Sequence, residues 1–114
     1  MATFHNAGGT TSTLILAVLA TGPLHGYAIA REVERRSADA LSMGEGILYP
    51  SLRNLEEDGL IVGSWQPQPS GPARKIYALT EDGRQEMLKR VQAWEKQTAA
   101  IRSVLGRTLH EQSA

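Results

Sequence analysis

The chain has 114 residues and a mass of 12.4 kDa, room for one small domain and not two. Twelve Lys and Arg balance twelve Asp and Glu, and a net charge of zero excludes the simple case of a highly basic nucleic-acid binder. The absence of cysteine excludes disulfides, thiol catalysis and Cys-ligated zinc, while 41% apolar residues suffice for a core. So small a chain without covalent staples buries only about 60–70% of its unfolded surface, which makes oligomerisation an expectation from size alone.

The first thirty residues carry no Lys, Arg, Asp or Glu. Their apolar run, Leu14 to Ala20, has the length of a signal-peptide core but lacks a positive segment before it. It also falls far short of the roughly 20 apolar residues of a membrane span. It reads as a buried helix of a cytoplasmic protein, from about Ser12 to Ala20, stopped by Gly22-Pro23. A second helix is predicted from Gly26 to Arg36, with Ile29 and Val33 on its inner face. Ser42-x-x-Glu45 has the form of a capping box and predicts a third helix, ending at Gly59.

Leu60–Gln66 and Lys75–Leu79 follow as two short strands around the Pro67–Pro72 turn, which no helix or strand could contain. Thr80 caps a long helix over Glu81–Leu105, and Gly106–Ala114 reads as a frayed tail. The fold expected is mainly α with a small β-hairpin: a winged helix-turn-helix head with a long C-terminal dimerisation helix. Its boundaries fall at 1–11 (flexible N-terminus), 12–80 (head), 81–105 (long helix) and 106–114 (tail).

The third helix is two-faced. With Leu48 at zero, Leu52 and Leu55 fall within about 40° and form the buried stripe. Gly46, Tyr49, Pro50 and Arg53 cluster between about 100° and 200°. Small, aromatic and basic residues at a leading end suit a recognition helix in a major groove, with Ser42 at its start. The acids Glu56, Glu57 and Asp58 stand at the trailing end. Pro50 either kinks this helix or marks a later start near Gly46. Arg74-Lys75, beside Gly71 and the prolines, gives the wing a basic tip for a DNA backbone or minor groove. Two ordinary solvated charges on a hairpin are the plainer alternative.

In the long helix Met87, Val91, Trp94, Thr98, Ile101 and Leu105 are spaced 4-3-4-3-4, a heptad stripe interrupted only by Thr98. At about 37 Å the helix is too long for this head to cover. The stripe is expected to pair with a second copy or with the partner's first helix around Leu14, a helix folded back on its own head being the plainer alternative. A homodimer would set two heads side by side, as a pseudo-palindromic operator requires. Trp94, in mid-seam, either packs there or offers a stacking platform to an aromatic effector.

Chemistry of other kinds is not encoded. His5, His25 and His110 lack metal spacing, and Glu56-Glu57-Asp58 splay around a helix instead of converging. No phosphate-cradling loop and no nucleophile context occurs, so neither an enzyme nor a cofactor is expected.

Four stretches stand in order: Leu24-His25-Gly26-Tyr27-Ala28-Ile29, Gly46 to Leu52, Leu55 to Ile61, and Gly71 to Gly83. Together they resemble the PadR-like transcriptional regulators over roughly residues 12 to 105. The resemblance implies a dimeric DNA-binding repressor of the short subgroup, joined through its C-terminal helix and responsive to phenolic, drug-like or other hydrophobic effectors near the dimer interface. It maps Tyr49, Pro50 and Ser51 to the recognition helix, Gly71 to Lys75 to the wing, and Tyr27 to the start of the second helix near the phosphate backbone. Ile76 departs from the pattern, which often has an aromatic there. The rival from another class is a winged-helix protein–protein module without DNA binding, favoured by the zero net charge and the acidic run.

Divided along the chain, that balance is uneven. Residues 31–58 hold four basic and seven acidic side chains, and residues 59–114 eight and five. The positive charge of a DNA-binding head must therefore be sorted onto one face.

Overall fold

The computed structural model describes the backbone of residues 6–113 and the side chains of residues 9–106. Seven elements follow one another: α1 (Asn6–Leu19), β1 (Leu24–His25), α2 (Gly26–Arg36), α3 (Glu45–Glu57), β2 (Ile61–Gln66), β3 (Arg74–Leu79) and α4 (Glu81–Ser113). The first helix thus starts at Asn6 instead of Ser12, and the last continues through Gly106 to Ser113. Residues 1–5 and 114, included in the expected flexible ends, lie outside the described residues.

Apolar periodicity decides which faces meet. Ile15, Leu16, Val18 and Leu19 of α1 pack on Ile29 and Val33 of α2 and on the Leu48, Leu52 and Leu55 stripe of α3. Ile61, Tyr77 and Met87 close the same core from the sheet and from α4. Burying such a side chain contributes about 1.5–3 kcal/mol each, so this single cluster carries the head.

The sheet is antiparallel in the order β1-β3-β2. The hairpin was expected; β1 adds a third strand through Leu24↔Tyr77 and His25↔Ile76. Two residues are too few for alternation to show in a sequence. Gly22, at φ +146, and Pro23 turn the chain out of α1 and feed it into this edge.

One local prediction is corrected. Ser42 and Glu45 form no capping box: Gly44 is the N-cap of α3 and has no side-chain cap bond, so the helix starts at Glu45 and not near Met43. Met43 is buried, which draws the chain into the core before helical geometry begins. Tertiary burial here outweighs the local capping signal. Pro50 lies well inside α3, five residues past its start, and the helix continues to Glu57. Pro50 cannot donate the hydrogen bond that Gly46 O would accept, and exposed Gly46 leaves that carbonyl to water.

The exit from α3 follows the expected stop. Gly59 at φ +75 donates to Glu56 O at 3.0 Å and Leu60 donates to Leu55 O at 3.0 Å, a Schellman closure. Thr80 then joins two elements. Its hydroxyl donates to Gly59 O at 2.8 Å and accepts the Gly83 N–H at 2.9 Å, capping α4 as predicted while tying it to the end of α3.

Candidate nucleic-acid interface

The outer side of α3 emerges as the wheel requires. Gly46, Tyr49, Pro50 and Arg53 are exposed, Tyr49 by 41%, while Leu48, Leu52 and Leu55 are almost fully enclosed. Ser51 differs from its expected place among the contact residues. It is only 9% exposed and its hydroxyl donates to Ile47 O at 2.8 Å, which leaves little of it to offer a ligand. Ser42 is exposed in the turn before α3.

Tyr49 is positioned by the close approach of α2. A Cβ at Gly26 would lie 3.0 Å from Tyr49 Cε1 and 3.3 Å from its hydroxyl, so glycine lets the start of α2 sit against that ring. Tyr27, one residue on, is 53% exposed. Its hydroxyl accepts from Arg31 Nη1 at 3.2 Å, and the Arg31 guanidinium lies 5.6 Å from the ring centroid.

Between these helix starts and the base of the wing lies an open groove of about 350 Å3. Its lining comprises His25, Tyr27 and Tyr49 from the helices and their entry, and Trp65, Arg74, Lys75 and Tyr77 from the wing strands. Burial, then the charge of Arg74, lowers the His25 pKa and favours its neutral ring. Burial also pushes the Tyr77 phenol up. Trp65, 67% exposed, was not among the predicted site residues, and His25, which precedes a helix in the sequence, stands at the N-cap of α2. The signal for Trp65 was present: it pairs directly with Lys75 in the hairpin register, a relation visible once the strand ends are known.

The predicted basic residues divide into two kinds. Arg53 and Arg74 are exposed and form no ion pair among the described residues. Lys75 is half-buried instead, its Nζ 3.0 Å from Glu56 Oε1, and the bond to Glu56 raises its pKa. That pairing also removes Glu56 from the acidic run that argued against nucleic acid. On α2, Arg35 and Arg36 both bind Glu32, and of the carboxylates behind the net charge of −3 over residues 31–58 only Glu56 is paired from outside that segment among the described residues, by Lys75. Gly71, at φ +86, turns the wing tip.

The predicted seam of α4 also divides. Met87 is in the core of its own head and Val91 packs against it, as does Leu14 of α1. Beyond them Thr98 is half-buried, whereas Trp94, Ile101 and Leu105 are at least half exposed. Among the described residues no helix is long and apolar enough to cross a membrane, and no group of three or more His, Asp or Glu could hold a metal ion.

Comparison with known proteins agrees with this architecture. The pattern of the PadR-like transcriptional regulator family matches residues 15–89. A transcriptional regulator of Mycobacterium tuberculosis is 35% identical over 96 residues, which cover 84% of this chain and 83% of that one. The negative transcriptional regulator PadR of Bacillus subtilis is 32% identical over 73 residues, or 64% of this chain. The match spans only 40% of that Bacillus protein, and for a longer relative from a Streptomyces fradiae transposon only 20%. The crystal structure of a PadR family transcription regulator from Clostridium difficile superposes with a TM-score of 0.71 at 28% identity, covering 82% of this chain and 96% of the other. On its sequence, its winged head and its long last helix, the chain belongs to the PadR-like family of transcriptional regulators, which are not enzymes.

Proposed function

We propose that the protein is a homodimeric, cytoplasmic transcriptional repressor that binds a pseudo-palindromic duplex operator. The observation that carries the reading is the division of α3, whose apolar stripe is enclosed while Gly46, Tyr49, Pro50 and Arg53 face outward beside the wing. An outward face of this width fits a major groove, with Tyr49 and Arg53 at base edges or phosphates. Arg74 meets the DNA backbone next to it, Gly71 brings the wing tip close, and Tyr27 and Ser42 flank the same surface. The exposed run of Trp94, Ile101 and Leu105 meets a second copy, with Thr98 at the seam. Trp94 there offers its ring to an aromatic or drug-like effector that releases the operator.

A mobility-shift titration with the DNA upstream of the protein's own coding sequence tests the reading. The native protein retards that duplex at low salt. Tyr49→Ala and Arg53→Ala each weaken the complex by about 1–3 kcal/mol, five- to more than a hundredfold. Full retention of affinity in both variants would remove α3 from the interface. A chain that retards no DNA at low salt would instead be the protein–protein module that its zero net charge and exposed Glu57 and Asp58 favour.

A further inference from the structure

We propose that Lys75 is a positioning residue that fixes the wing against the recognition helix through Glu56, and not itself a contact to DNA phosphate. The inference rests on the DNA-binding reading above and changes the role of one residue in it. Lys75 stands on β3 and Glu56 on the last turn of α3, nineteen residues apart in sequence. Their side chains meet at 3.0 Å, each about one-third exposed. The ammonium also lies 5.4 Å from the Tyr77 ring centroid and 5.9 Å from that of Trp65. Three partners, one each from α3, β2 and β3, therefore hold one flexible side chain.

The backbone has been shaped to admit it. Gly63 lies across the hairpin from Tyr77. A Cβ there would run into Lys75 Cε and would lie 3.1 Å from Glu56 Oε2 and 3.3 Å from Tyr77 Cε1. Glycine at this strand position is otherwise unfavourable, because it adds backbone entropy and no packing. Its place here is explained by the room it leaves for the ion pair. Arg74, the adjacent cation, makes no ion pair among the described residues and is left for the DNA backbone. One residue of the basic pair thus faces the ligand and the other sets the angle of the wing.

Three variants separate positioning from contact: Lys75→Met, Glu56→Gln and Gly63→Ala, the last of which leaves the net charge unchanged. Each is titrated against the upstream duplex and a random-sequence duplex over a range of salt. Positioning predicts that all three lose about fivefold in affinity for the upstream duplex. The Lys75→Met, Glu56→Gln double variant is then no weaker than either single one. The slope of log K against log salt stays at its native value in Lys75→Met, whereas Arg74→Ala lowers it by about 0.9 per chain. A slope lowered equally by Lys75→Met, with tighter binding in Gly63→Ala as the ammonium is released, would overturn the proposal.

Amide hydrogen exchange of the β2–β3 ladder gives a reading without DNA. Faster exchange at Val62–Gln66 in Lys75→Met and Glu56→Gln supports the clamp, and unchanged exchange refutes it. If the native protein fails to bind DNA, the DNA-binding reading falls, and the exchange measurement still decides whether the pair holds the wing.

Discussion

Single backbone positions carry several of the sharpest constraints in this protein. Gly83 sits where α4 begins, and a Cβ there would collide with the backbone carbonyl of Leu60. Backbone cannot step aside as a side chain can, so Gly83→Ala is expected to cost about 1–3 kcal/mol, read by chemical denaturation. Ala38 and Asp39, in the turn between α2 and α3, take φ of 51° and 66° without being glycine. Relief of that strain, offset by the entropy of glycine, should make Ala38→Gly more stable by roughly 0.5 kcal/mol. Acid sensitivity has a residue-level origin as well. Hydrogen bonds from Arg35 and then Arg36 lower the Glu32 carboxyl from 4.5 to about 2. A group lowered in the folded state adds stability that is present above its ordinary value and lost as pH falls from 4.5 toward 2. Glu32→Gln should flatten the acid side of the helix signal in that window, as circular dichroism would show.

At the scale of elements, the helices were legible and the connections between them less so. The stripe Leu48, Leu52, Leu55 can be read because a 3.6-residue period written over thirteen residues leaves one face to bury. Thr80 could be read as a cap because its hydroxyl serves the backbone three residues on. Ser42 misled because a capping signature is local, whereas the burial of Met43 is decided by the whole core. The pairing of Lys75 with Glu56 was hidden for a related reason. It needs the hairpin register and the exit angle of α3 together, and no short window of sequence contains both. The seam of α4 was half legible: its spacing gave the apolar side, but only the packed head shows that Met87 and Val91 belong to the core. The proposed dimer should therefore depend on the distal residues. Trp94→Ala is expected to weaken self-association at least tenfold in sedimentation while leaving the melting of the head largely intact.

The whole molecule measures 63 × 31 × 23 Å, far longer than its head, because α4 runs for 33 residues, about 50 Å. A small head with an outward recognition face and a projecting helix with exposed apolar residues suits a two-headed assembly better than a monomer. Zero net charge, which first argued against nucleic acid, acquires a structural meaning. Glu32 and Glu56 neutralise basic neighbours, while Arg53 and Arg74 remain exposed beside Tyr49. For the proposed dimeric DNA binder, few cations per head imply a modest electrostatic share of binding, with shape and the avidity of two heads supplying the rest. The most direct test is the salt dependence of binding to the upstream duplex. Two exposed arginines per head in the proposed dimer predict a slope of log K against log salt of about −3.6, from roughly 0.9 per neutralised phosphate. A slope near zero, or no binding at low salt, would contradict the account.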